Sequence, residues 1–133
     1  MANSYMIGTR YEIQEQIGAG GMGTVFRGVD VQSSTPVAVK LLKAEAAAYD
    51  PDAIERFMRE AEVLRQLNHP NMVKVLASMQ EDDRHYIVME YVRGGSLNDL
   101  LRAQPMPPIS QVLKISIELA DALTRAHYLK IIH

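Results

Sequence analysis

Apolar and polar residues change their spacing several times along the chain, and each change predicts an element. Tyr11-Glu12-Ile13-Gln14-Glu15-Gln16-Ile17 alternates apolar and polar positions, the period of a half-buried strand. The glycine cluster at 18–23 turns the chain, and Val25-Phe26-Arg27-Gly28-Val29 returns as a second strand, so the pair predicts a hairpin. Asp30 to Pro36 is polar and turn-forming, and the Val-rich run from Pro36 to Leu42 predicts a third strand. The spacing then becomes helical. Asp50-Pro51-Asp52 predicts a helix start, with Asp50 as cap, Pro51 in the first turn and Asp52 favourable to the helix dipole. Ile54, Phe57, Met58, Ala61, Leu64 and Leu67 follow on one stripe. Asn68-His69-Pro70-Asn71 ends that helix, because a residue before proline disfavours the α region.

Met72 to Met79 and His85 to Val92 predict a fourth and a fifth strand, joined by a Glu81-Asp82-Asp83-Arg84 turn. Arg93-Gly94-Gly95 reads as a flexible link. Ser96-Leu97-Asn98-Asp99 is a Ser-x-x-Asp helix start leading into Leu100-Leu101, and Pro105, Pro107 and Pro108 break the chain again. Ser110 to about Leu129 predicts a long helix with Val112, Ile115, Leu119, Ala122 and Ala126 on one stripe. Leu113, Ile117, Leu119 and Leu123 add apolar surface beyond that stripe. The expectation is an exposed patch, poor solubility or self-association through this helix. Residues 1–10 read as a short leader with little structure. The order is α+β: three strands, a helix, two strands, a link and two helices.

Composition narrows the function. With 133 residues, 47% hydrophobic, 23% charged and a net charge of −2, the chain reads as a folded domain, or part of one, with no global basic field for nucleic acid or an anionic membrane. There is no cysteine, which excludes disulfides and thiolate metal sites. The four histidines, His69, His85, His127 and His133, lack metal-ligand spacing, so no metal held by protein ligands alone is expected. No run approaches the roughly 18 apolar residues of a membrane span, and Met1-Ala2-Asn3-Ser4 lacks the features of a secretory signal, so a cytoplasmic location is the expectation.

The chemistry concentrates in Gly18-Ala19-Gly20-Gly21-Met22-Gly23-Thr24-Val25 and Val37-Ala38-Val39-Lys40. Glycines let backbone N–H groups approach phosphate oxygens without a Cβ in the way, and a lysine supplies a point charge for the same anion. Four glycines in six positions exceed what a turn needs. A Gly-x-Gly-x-x-Gly motif also serves dinucleotide sites, but those need a helix directly after the glycines and an acidic residue about 20 positions on. Here a Val-Phe strand follows, and Ala38 stands at that position. Lys40 between Val39 and Leu41 either points to water from an edge strand or finds an anion; the glycines upstream favour the anion. By helix geometry alone, Glu60 is a carboxylate at the rim of its stripe.

Taken together, these motifs resemble the protein-kinase family, and the glycine-rich form is most similar to bacterial serine/threonine kinases of the eukaryotic type. Phe57-Met58-Arg59-Glu60, Leu67-Asn68-His69-Pro70-Asn71, Ile87-Val88-Met89-Glu90-Tyr91-Val92-Arg93-Gly94-Gly95-Ser96-Leu97 and the run from His127 to His133 continue the resemblance across about 11–133. It implies a kinase-like N-lobe at 11–92, a five-stranded antiparallel sheet with one helix, and the first helices of a truncated C-lobe at 93–133. It also implies ATP with magnesium as cofactors and a protein hydroxyl as substrate.

Residue by residue, the resemblance implies catalytic roles for Lys40, on the α- and β-phosphates, and for its partner Glu60. It implies a nucleotide site formed by Ile17, Gly18, Ala19, Gly20, Gly21, Met22, Gly23, Val25, Ala38, Lys40, Met89, Glu90 and Val92. Val25 and Ala38 sandwich the adenine, and Met89 is the gatekeeper, though all three also suit plain core. Glu90 and Val92 offer backbone groups to the adenine edge. Asp99 reads as a cap more than a ribose contact, His69-Pro70 as a turn and packing feature, and His127 as a core histidine. The chain ends at the His of a His-Arg-Asp motif. The expectation is therefore an N-terminal fragment without the catalytic Asp or the magnesium ligands, inactive alone. The alternative is a stand-alone, pseudokinase-like nucleotide-binding or interaction module.

Overall fold

The computed structural model describes residues 5–21 and 23–131, which form two compact units. The first unit comprises Met1–Gln66 and Val73–Tyr91. It contains β1 (Tyr5–Ile7), β2 (Tyr11–Ala19), β3 (Gly23–Asp30), β4 (Thr35–Leu42), α1 (Ala44–Tyr49), α2 (Ala53–Gln66), β5 (Val75–Glu81) and β6 (Arg84–Glu90). The strands make one antiparallel sheet in the order β1-β2-β3-β4-β6-β5.

Alternation along β4 builds both faces. Val37 and Val39 pack with Ile7, Tyr11, Ile13, Tyr86 and Val88 on one side. Leu42, with Ile87 and Val75, packs on the other side against Phe57 and Ala61 of α2. Phe57 is fully buried and anchors the helix to the sheet. The β1 and β5 edges are tied to each other: the Gly8 N–H donates to Glu81 Oε2 at 3.1 Å and Oε1 at 3.2 Å. The β5–β6 hairpin turns through Asp82 and Asp83 with φ of 48° and 61°, the left-handed pair that a two-residue hairpin of this twist requires.

Several expectations need correction. Residues 5–7 are not unstructured leader but a sixth strand, because Ile7 fills the core and its backbone pairs with Tyr11. Asp50 also closes α1, a helix the pattern did not predict, and its carbonyl accepts from the Ala53 N–H at the start of α2. Pro51 and Asp52 form a turn ahead of Ala53, with the Asp52 N–H donating to Asp50 Oδ1 at 3.0 Å. Ile54 lies at the solvent side of α2, and Ala53 takes the buried place. The fourth predicted strand begins later, at Val75.

The second unit comprises Leu67–Met72 and Val92–His133, with α3 (Leu97–Ala103) and α4 (Ile109–Tyr128). Ser96 and Asp99 form a reciprocal capping box on α3, and the Ser96 hydroxyl and backbone N–H hold the Asp99 carboxyl below its usual pKa. The end of α4 is a Schellman motif. Lys130 takes a φ of 59°, its N–H donates to the His127 carbonyl, and the Ile131 N–H donates to the Ala126 carbonyl. Ala122 and Ala126 are buried on α4, whereas Val112, Leu113, Ile117, Leu119 and Leu123 are exposed. His127 is exposed in the last turn, not a core histidine. His69 fits its packing role: its Nδ1 accepts from the Asn71 N–H at 3.0 Å, and Nε2 lies 2.9 Å from Asp121 Oδ2.

Candidate functional site

Strand register gathers the candidate residues. On β4, Ala38, Lys40 and Leu42 share the face that carries α2. Val25 on β3 stands opposite Lys40, while Met89 and Ile87 on β6 stand opposite Ala38 and Lys40. Residues directly opposite in an antiparallel pair share a face. Val25, Ala38, Lys40 and Met89 therefore share one face, which Arg27, opposite Ala38, also joins.

The Lys40 ammonium does not point into open water. Lys40 Nζ donates to Glu60 Oε1 at 2.9 Å and Oε2 at 3.2 Å, and lies 5.7 Å from the Phe57 ring centroid. Phe57 and Glu60 are three residues apart, so one turn of α2 supplies both the buried anchor and the carboxylate. The Lys40 side chain is 21% exposed and that of Glu60 42%. Such a half-exposed pair adds little stability. Its consequence is geometric: the cation is held at a defined height above the sheet.

The β2–β3 hairpin lies beside it. A Cβ on Gly23 would stand 2.9 Å from the Leu41 carbonyl oxygen and 3.3 Å from Lys40 Cγ, so the hairpin base requires glycine for its close approach to β4. Gly20 and Gly21 differ. Among the described residues, a Cβ on either meets nothing within 4 Å, and neither has a positive φ. No described contact requires glycine at these two positions. The loop closes on itself through the Gly20 N–H, which donates to the Gly23 carbonyl at 2.8 Å, while the Gly20 carbonyl accepts from Lys43 Nζ at 2.8 Å.

A protein kinase domain model matches residues 11–133. The chain belongs to the protein kinase family. It is 39% identical over 128 residues to the serine/threonine-protein kinase PrkC of Bacillus subtilis (strain 168), covering 96% of this chain and 19% of that protein. It is 42% identical over 123 residues to PknJ of Mycobacterium tuberculosis (strain ATCC 25618 / H37Rv), covering 92% and 20%. The chain thus spans about a fifth of the length of these relatives. Among solved structures, Rad53 1-466 in complex with AMP-PNP superposes with a TM-score of 0.77 at 29% identity, covering 91% of this chain and 31% of that one.

The remaining candidates of this kinase-family chain fall as follows. Gly18 pairs with Val25 and Ala19 with Thr24, so both belong to the hairpin arms. Ile17 sits at a register shift in β2 and is 47% exposed. The Glu90 N–H is taken by the Lys74 carbonyl, at 2.9 Å. Val92 belongs to the second unit and is exposed. Met22 and His133 lie outside the described residues. No helix among the described residues is long and apolar enough to cross a membrane. Among the described residues, no three Asp, Glu or His side chains come together as a metal cradle. The described side chains alone offer no ready-made cradle for a magnesium ion.

Sequence reasoning missed Lys43, whose contact spans 23 residues, and the buried Asp30. Asp30 Oδ2 accepts from Arg10 Nη2 at 2.7 Å and Nε at 3.0 Å, and its Oδ1 accepts from the Gln32 N–H. The Arg10 guanidinium holds the Asp30 carboxyl down at about 2. A polar run between two strands gave no hint that its first residue was core.

Proposed function

We propose that this chain is the ATP-binding part of a serine/threonine protein kinase, with a kinase N-lobe at 11–92 and the start of the C-lobe at 93–133. The observation that carries the proposal is the pinned ammonium. Lys40 is fixed by Glu60 on the face shared by Val25, Ala38 and Met89, next to a hairpin tip where no described contact requires glycine at positions 20 and 21. An anion approaching that tip supplies a reason, since only a residue without Cβ lets a phosphate reach the loop amides. The apolar side chains of Val25, Ala38 and Met89 suit a flat aromatic base, and the Lys40 charge suits the phosphates attached to it. Resemblance adds the adenine-edge roles of Glu90 and Val92, and the AMP-PNP of the Rad53 complex is a nucleotide of the same class. ATP with magnesium as cofactors and a protein hydroxyl as acceptor follow from the same family. Solvation of α4's apolar face is the basis for proposing self-association.

The chain's contribution is positional. It places a cation and oriented backbone donors where triphosphate charge sits, the main resource of phosphoryl transfer. The 133 residues include no Asp that follows a His-Arg pair and no Asp-Phe-Gly. The polypeptide by itself is therefore expected to bind nucleotide without transferring phosphate. Melting experiments test the binding. ATP is expected to raise Tm by mass action, adenosine less so, and inorganic phosphate not at all. An unchanged Tm at millimolar ATP, with no heat of binding, would contradict the proposal. Labelled phosphate appearing on a generic protein substrate would overturn the inactivity of the isolated polypeptide.

A further inference from the structure

Lys43 follows β4 directly, and its ammonium reaches back to the hairpin tip to meet the Gly20 carbonyl at 2.8 Å. It lines a cleft of about 590 Å³ with Gly21, Glu45, Ala46, Tyr49, Asp50 and Arg56. An ion pair in the cleft is already made: Asp50 binds the Arg56 guanidinium and also accepts from the Asp52 N–H. Arg56 in turn holds the Asp50 carboxyl below its usual pKa. Asp50 is thus occupied, and among the described residues Lys43 donates its hydrogen bond to Gly20.

That contact fixes more than one atom. The Gly20 carbonyl and the Gly21 N–H belong to a single planar trans peptide and point in opposite directions. With glycine on both sides, this peptide is free to rotate as a plane at small steric cost. The Gly20 N–H is committed to the Gly23 carbonyl, so the loop's own closure anchors one side of Gly20 and leaves the next peptide undetermined. Lys43 supplies the missing restraint.

We propose that Lys43 is a positioning residue of the glycine-rich loop: by holding the Gly20 carbonyl it sets the direction of the Gly21 N–H, which serves as a donor to the nucleotide's phosphates. This rests on the ATP reading above. It assigns to the loop a second lysine, distinct from Lys40, that acts through the backbone and not on the phosphate itself. Arginine at position 43 retains a donor that can reach the carbonyl, whereas methionine keeps the stem and loses the donor.

The test uses the 133-residue chain with Lys43→Met and Lys43→Arg. Backbone ¹⁵N relaxation of Gly21 without nucleotide reads the brace. The order parameter is expected to be near the rigid value of about 0.85 in the parent, to fall below about 0.6 in Lys43→Met, and to recover in Lys43→Arg. Competition binding reads the consequence: Lys43→Met weakens ATP roughly threefold, leaves adenosine unchanged, and is rescued by Lys43→Arg. A Gly21 amide equally ordered in parent and Lys43→Met, or equally mobile in both, overturns the inference. So does equal ATP affinity alongside a loosened Gly21. If the parent binds neither ATP nor adenosine, the ATP reading fails and the phosphate half of this inference fails with it. The relaxation data still decide the brace.

Discussion

The two units use apolar residues in opposite ways. In the first, strand alternation and the α2 stripe put Ile7, Ile13, Val37, Val39, Phe57, Ile87 and Val88 fully or almost fully out of water. In the second, α4 carries a comparable supply of large apolar side chains but buries only Ala122 and Ala126, and Ile109, Leu113, Ile117 and Leu119 are each more than half exposed. Apolar content therefore does not measure how well a region is held. What distinguishes the sheet unit is that each apolar face has a partner face. The Lys40 ammonium lies on that unit, between packed strands and a helix anchored by Phe57.

The largest expected difference comes from emptying the anchor. Phe57→Ala should destabilise the sheet unit by about 3–5 kcal/mol, because a large cavity opens between α2 and the sheet. It should also detach Glu60 from Lys40. Denaturant midpoints read the first effect, and loss of the ATP-induced Tm shift reads the second. A fall below about 1 kcal/mol would mean that α2 is not held by this contact.

Gly28→Ala comes next. A Cβ there would stand 2.5 Å from the Glu12 carbonyl oxygen, so β2 and β3 must separate at that register. Overpacking of this kind costs on the order of 1–3 kcal/mol, measurable as a lower urea midpoint. Asp30 gives a smaller and pH-dependent effect. Its folded pKa of about 2 lies below the ordinary 3.8, so the folded state releases this proton more readily than the unfolded chain. The stabilisation is complete above about pH 5, declines as pH falls through 3.8, and is gone below about 2. Urea midpoints between pH 5 and 2 should therefore fall more steeply for the parent than for Asp30→Asn. Smallest of all, Ile117→Gln on exposed α4 should change stability by no more than about 0.5 kcal/mol while reducing any self-association seen in sedimentation.

Local pattern made the hairpins, α2, the α3 cap and α4 readable, because each depends on period and turn chemistry within a few residues. It missed β1, since three residues are too short for an alternation to register and only pairing with β2 makes them a strand. The Ala44-Glu45-Ala46-Ala47-Ala48 run has strong helix propensity, but α1 is six residues long and buries none of them, so it carries no apolar stripe. At the candidate site, motif chemistry named Lys40 and the glycines. Glu60 read as a rim carboxylate from its helix alone; resemblance named it, and the geometry explains why it reaches Lys40. Lys43 and the Arg10–Asp30 pair were invisible because their partners lie 23 and 20 residues away.

The most direct measurement is calorimetric titration of the parent and Lys40→Met with ATP and with adenosine. If the Lys40 ammonium and the hairpin amides converge on the triphosphate, the substitution lowers ATP affinity at least about tenfold and leaves adenosine affinity unchanged. Equal ATP affinity in the two proteins would contradict the account.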